Sequence, residues 1–168
     1  MRIHVLFVSY MCFLLSLIGA TFFCPGDGSS ILSIMDEVKS LSIPVALHLG
    51  ECKDETEEQQ MRELTMLQPA RIGHGVFLCE KAKEYIFERK LPIEMCLSSA
   101  VWAHMVENAV DHPAVSLLKE GYPVIVCTDD PLIFRTTHTQ ESELAMDVLG
   151  FSVDQMKVLH ENALQYKF

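Results

Sequence analysis

Positive charge is the first thing this 168-residue sequence is short of: 13 lysines and arginines stand against 23 aspartates and glutamates, a formal net charge of −10. Nucleic acids and anionic membranes bind clustered cations, so neither is expected as a partner. A small anionic substrate stays open, because a bound metal and local donors can dominate a site. Paired cysteines are missing too. The six cysteines form no Cys-x-x-Cys, and Cys96 and Cys127 fall in apolar runs, where a thiol serves as a small hydrophobe. That argues against a disulfide framework and for a reducing compartment. There is no glycine-rich phosphate loop, no serine nucleophile elbow, and no His-x-Glu with Pro-Cys-x-x-Cys. No two histidines stand two residues apart.

What is present is a hydrophobic content of 49%, enough length for one domain with a real core, and a repeated grammar. Val124-Ile125-Val126-Cys127-Thr128 is β-branched and apolar and runs into Asp129-Asp130-Pro131. Pro44-Val45-Ala46-Leu47-His48-Leu49-Gly50-Glu51 ends in a histidine and a glutamate, and Ala70-Arg71-Ile72-Gly73-His74-Gly75 sets a histidine between two glycines. Strands apolar from end to end belong to parallel sheets covered on both faces. In those folds the chemistry gathers where the strand stops. Polar, metal-competent groups at three strand ends predict one shared site.

In chain order, Arg2 precedes an apolar run from Ile3 to Phe23. It is readable as a secretory signal with Ala20 at the cleavage site, as a membrane anchor, as a buried strand, or as residues foreign to the fold. Pro25 to Ser30 reads as a turn, and Ile31, Ile34, Met35, Val38 and Leu41 recur at helical spacing. Strand Val45–Leu49 follows. Lys53–Leu67 reads as a solvent-facing helix whose acidic cluster is a solvated face. Next come strand Arg71–His74, helix Glu80–Arg89, and strand Leu91–Leu97 ending at Ser98-Ser99. Helix His112–Glu120, closed by Gly121, leads to strand Val124–Thr128 and to helices Thr139–Leu149 and Ser152–Tyr166, with Ser152 as a cap. Strand ends at 48, 74, 97 and 128 lie 26, 23 and 31 residues apart, the rhythm of βα units. Residues 24–168 are expected to form one α/β unit after the apolar segment 1–23.

Each candidate has a bland counterpart. His48 and Glu51 suit a zinc ligand and an acid or base, or a strand-end histidine beside a surface glutamate. His74 between glycines leaves room for a substrate or water, or is simply a turn. Asp129 and Asp130 repel each other and want a cation or strong donor, or make the turn Thr-Asp-Asp-Pro. His104, His112, His138 and His160 read as surface or helix-end residues, and Trp102 and the methionines as packing.

Taken together, His48-Leu49-Gly50-Glu51, Arg71-Ile72-Gly73-His74-Gly75, Cys96-Leu97-Ser98-Ser99 and Thr128-Asp129-Asp130 resemble the adenosine deaminase family, in its order and spacing, over roughly residues 26–166. The forms Ala46-Leu47-His48-Leu49 and Cys96-Leu97-Ser98-Ser99 are nearest the adenosine deaminase-like branch, which removes methylamine from N6-methyl-AMP. The resemblance implies the C-terminal half of a (β/α)8 TIM-type barrel, four to five βα units, with one Zn2+ at its mouth. It implies His48 and Asp129 as metal ligands and Glu51 as the acid at purine N1. His74 would orient and help deprotonate the zinc-bound water, Asp130 would bond purine N7, and Gly50 would lie against the substrate. The implied reaction releases ammonia or an amine from position 6 of an adenine nucleoside or nucleotide. The implied compartment is the cytoplasm, or a secretory or membrane one if 1–23 is a signal or anchor. Burial and neighbouring carboxylates are expected to raise the Glu51 pKa.

The family's His-x-His strand, source of two further ligands, has no counterpart in these 168 residues, and Ala100 stands where the nearest branch has asparagine. Weak zinc, impaired turnover and self-association through open barrel edges are therefore expected. A truncated, non-catalytic product and a membrane-tethered binding module are the alternatives from other classes.

Overall fold

Among the described residues, five parallel strands lie side by side in the order in which the chain makes them. They are β1 Ala20–Phe22, β2 Val45–Leu49, β3 Arg71–His74, β4 Ile93–Met95 and β5 Val124–Val126. The computed structural model describes residues 20–22 and 44–166. The rest of the apolar start, the 25–30 turn and the expected helix at Ile31–Leu41 lie outside these residues. Strict chain order is what a barrel segment does; a doubly wound sheet reverses direction at a switch point. No described helix is long and apolar enough to cross a membrane.

Parallel neighbours need crossovers, and the intervening helices provide them. Helix α1 Glu57–Leu67 joins β2 to β3, and α2 Glu80–Glu88 joins β3 to β4. Between β4 and β5 come α3 Leu97–Trp102, a 3-10 turn at Ala109–Asp111 and α4 Pro113–Lys119. After β5 follow α5 Pro131–Phe134, α6 His138–Leu149, α7 Val153–Ala163 and a 3-10 turn at Leu164–Tyr166.

Alternation along the strands makes two faces. Leu47, Leu49, Ile72, Ile93, Met95 and Val126 are buried against the helices, meeting Leu64, Ile86, Val115 and Ala145. Each such side chain contributes about 1.5–3 kcal/mol when fully buried. The other face carries Ala46, His48, Arg71, Gly73, Glu94 and Ile125, with His48 beside Gly73, Gly73 beside Glu94, and Glu94 beside Ile125. Here Cys96, Ile125, Cys127 and Ala163 form a second buried cluster with Tyr166 packed on it. Buried Arg71 donates from Nε to Glu94 Oε1 at 2.6 Å and from Nη1 to the Tyr166 carbonyl at 3.0 Å. The chain's own C-terminal turn therefore covers part of the face that an open half-barrel would leave to water.

Several boundaries differ from expectation for local reasons. Helix α1 begins at Glu57 rather than Lys53, because Thr56 caps it in a reciprocal capping box with Gln59. Strand β4 stops at Met95, and Leu97-Ser98-Ser99 open α3 instead of ending the strand. Residues 131–134 form a helical turn because Asp130 caps it and Pro131 supplies a preset φ at its first position. Trp102 is 64% exposed and so is not a packing residue.

Candidate active site

The site is built where β2, β3 and β5 end. In the sheet His48 pairs with Gly73 and Leu49 with His74. Gly73 is required by this register: a Cβ there would stand 2.6 Å from His48 Cδ2. Gly50 has φ +70, and a Cβ on it would crowd the Phe77–Leu78 backbone at 3.1 Å. His74 and Asp129 adopt the left-handed region too, at φ 62 and 57. Non-glycine residues held there carry about 1–3 kcal/mol of strain, which clusters at functional sites.

The result is a compact acid–base cluster. His74 is buried, and its Nε2 lies 2.6 Å from Glu51 Oε1. The same Oε1 lies 3.4 Å from His48 Nδ1, and the two imidazoles meet edge to face with centroids 4.8 Å apart. Asp129 Oδ2 is 3.9 Å from His74 Nε2. Burial disfavours charge on His48, but its hydrogen bond to Glu51 and the charges of Glu51, Glu94 and Asp129 outweigh that and raise its pKa. Burial pushes Glu51 upward, yet hydrogen bonds from His48 and His74 and their charge bring it down to about 2. The expected upward shift of Glu51 is thus reversed: two imidazoles, not carboxylates, are its nearest neighbours.

Of the predicted residues, His48, Glu51 and His74 bring their ligand-capable atoms within 4.8 Å of one another. These donors fit zinc in kind, since zinc takes imidazole nitrogen and carboxylate oxygen, and buried His74 Nδ1 has no hydrogen-bond partner. Asp129 stands at the edge of this group, reaching His74 at 3.9 Å. Asp130 Oδ1 accepts from the N–H groups of Leu132 and Ile133 as the cap of α5. The Gly50 N–H is engaged by Glu55 and its carbonyl by the Phe77 N–H.

Three supporting residues escaped the sequence reading. His112, expected at a helix start near the surface, does cap α4, accepting the Ala114 N–H on Nδ1 at 3.1 Å, but it is buried. Burial, and then the nearby charge of His74, lower its pKa to about 4. Glu141, fully buried on α6, accepts the Ser98 N–H at 3.2 Å and the Thr136 hydroxyl at 2.8 Å, tying α3 to α6. Glu55 binds the turn that carries Glu51. Only Glu55 had a local signal, its place just before the Thr56–Gln59 capping box. The partners of His112 and Glu141 are set by tertiary contacts.

The adenosine deaminase family profile matches residues 30–168. N6-methyl-AMP deaminase of Danio rerio is 31% identical over 149 residues, covering 85% of this chain and 42% of that protein. An adenosine deaminase of Clostridium botulinum is 30% identical over 146 residues, covering 86% and 42%. The apo N6-methyl-AMP deaminase of Arabidopsis thaliana superposes with a TM-score of 0.80 at 25% identity, over 89% of this chain and 44% of the other. The Arabidopsis protein in complex with IMP gives a TM-score of 0.81 over the same shares. The chain thus spans less than half the length of these relatives, and its sheet corresponds to the C-terminal half of their barrel.

Proposed function

The chain belongs to the adenosine deaminase family, and from that premise we propose that its strand-end cluster is the acid–base half of a hydrolytic site for a 6-aminopurine nucleoside or nucleotide. The observation that carries this reading is the single oxygen of Glu51 held between His74 Nε2 and His48 Nδ1 at 2.6 and 3.4 Å. His48 and Asp129 would hold a zinc ion. When bound, zinc supplies the Lewis acidity that makes water a nucleophile near neutral pH.

The remaining work falls to the side chains. His74 Nε2 and Glu51 Oε1 lie 2.6 Å apart, close enough for one proton to pass between them. Moving it onto Oε1 makes Glu51 the acid at ring N1 and leaves His74 Nε2 free to accept the proton of the attacking water. The ring gains a proton at N1 as oxygen adds at C6, and ammonia or an amine then leaves. A second proton must reach the leaving nitrogen, and the same pair can carry it. Asp130 would hydrogen-bond purine N7, which can only accept, and Gly50 would border the ring.

The test is release of ammonia from adenosine or AMP, or of methylamine from N6-methyl-AMP. It uses the zinc-supplied chain, alone and with a segment carrying the family's His-x-His strand added in trans. Release that Glu51→Gln abolishes supports the reading. No release under either condition, from a chain that circular dichroism reports as folded, leaves the non-catalytic alternative.

A further inference from the structure

We propose that Glu55 is a positioning residue for this site: its carboxylate grips the turn at residues 50–52 so that Glu51 is presented to both histidines. Its acidic neighbours Asp54, Glu57 and Glu58 are exposed, whereas Glu55 is half-buried. Oε2 accepts the Gly50 N–H at 2.7 Å, and Oε1 accepts the N–H groups of Glu51 and Cys52, each at 3.1 Å. Three successive amides on one carboxylate are charge-assisted hydrogen bonds, roughly twice as strong as neutral ones.

A second residue extends the grip to the neighbouring loop. Gln60, 1% exposed, donates from Nε2 to the Phe77 carbonyl at 2.8 Å and to Glu55 Oε2 at 3.4 Å. Its Oε1 accepts the Cys79 N–H at 2.8 Å. The Phe77 N–H closes the frame on the Gly50 carbonyl at 2.8 Å. One carboxylate and one amide thus join the turn after β2, which bears Glu51, to the loop after β3, which follows His74. The backbone of Glu51 cannot shift without breaking this frame, and a 2.6 Å contact to His74 leaves little room for error. A misplacement of about 1 Å can cost about 10²-fold in rate. The kinetic consequence rests on the proposed deaminase reading; the placement itself does not.

The experiment compares the full chain with Glu55→Ala, Glu55→Gln and, as a surface control, Glu58→Ala. Hydrogen–deuterium exchange is read by mass spectrometry over residues 48–56 and over α1. Glu55→Ala is expected to speed exchange at residues 50–52 about tenfold or more, while α1 is unchanged. Glu55→Gln, which keeps one acceptor oxygen, should recover part of the protection, and Glu58→Ala should match wild type. Unaltered exchange at 50–52 in Glu55→Ala overturns the proposal. Should Glu55→Ala expose α1 as well, the Glu55→Gln chain carries the decision by the same criterion. Where wild type releases ammonia or methylamine, Glu55→Ala should lower kcat by about tenfold or more with KM within about twofold, and Glu55→Gln should restore part of it. A change in KM alone overturns the positioning role. Absence of turnover in wild type counts against the deaminase reading, and exchange at 50–52 still decides the case of Glu55.

Discussion

His74 Nε2 stands 2.6 Å from Glu51 Oε1, although 23 positions and a whole helix separate the two residues in the chain. The contact exists because β2 and β3 are parallel neighbours whose ends are in register, Leu49 beside His74. Simple alternation would put His74 on the helix side with Ile72. The left-handed backbone at His74, φ 62, turns its ring instead towards His48 and Glu51. The cluster is therefore a property of strand ends, and its parts should fail in distinguishable ways.

Gly73→Ala should strike the site without touching a catalytic group. The new methyl would stand 2.6 Å from His48 Cδ2, so the His48 ring must leave its place. Overpacking of this kind costs about 1–3 kcal/mol, to be read from chemical denaturation. Zinc uptake, followed by elemental analysis, should weaken in step. Wild-type zinc and wild-type stability together would mean that the ring has room the geometry does not show.

His74→Ala and Glu51→Gln should act on rate rather than on metal. In a barrel completed with a His-x-His strand, each is expected to lower kcat by about 10²-fold or more while zinc content holds. His48→Ala should instead lose the zinc. Near-full activity in Glu51→Gln would remove it as the proton donor to the ring.

Acid should destabilise the fold through His112 before it reaches Glu51. A histidine brought from 6.5 to about 4 favours the unfolded chain, which takes the proton first, so stability falls as pH drops from 6.5 to about 4. The loss amounts to about 3 kcal/mol. Glu51, lowered from 4.5 to about 2, stabilises above 4.5, and that contribution disappears only as pH falls from 4.5 towards 2. His48, raised above 6.5, has the opposite sign to His112: its contribution is full below 6.5 and is lost as pH rises through its folded value. His112→Asn keeps an acceptor for the Ala114 N–H and cannot titrate. Denaturant midpoints from pH 7 to 4 should therefore fall less steeply in that variant; parallel curves for variant and wild type would exonerate His112.

Self-association is expected of the chain alone. Strands β1 and β5 are the outer strands of the described sheet, and an unpaired strand edge is a template for another chain. Light scattering at increasing concentration should report oligomers or aggregates. A monodisperse monomer with one cooperative melting transition would show that the edges are protected.

Much of the architecture was legible in local pattern. The β3 boundaries, the β2 span and the caps at Ser152 and His112 all follow from apolar runs and turn chemistry, which act over a few residues. Local pattern and structure part where the local signal is ambiguous. Leu97-Ser98-Ser99 continues an apolar run and is a helix start only because β4 stops at Met95. Lys53 to Thr56 looks like more of a charged helix until the turn around Glu55 is seen.

Spacing and residue type were sufficient to say that His48, Glu51, His74 and Asp129 would stand at strand ends on one side of a parallel sheet. A strand end is a local event, written in β-branched runs that stop at glycine, proline or a carboxylate. Which of these groups touch, and what they do to one another's protons, belongs to the folded chain alone. Glu51 becomes an anion with a pKa of about 2 because two imidazoles from two different strands converge on it. Glu55 leaves the solvated acidic run because three backbone amides point at it. His112 is driven neutral because α4 buries it in electrostatic reach of His74. Each of these depends on distances of a few ångströms between residues far apart in sequence, set by register and by left-handed backbone turns that no run of residue types encodes on its own.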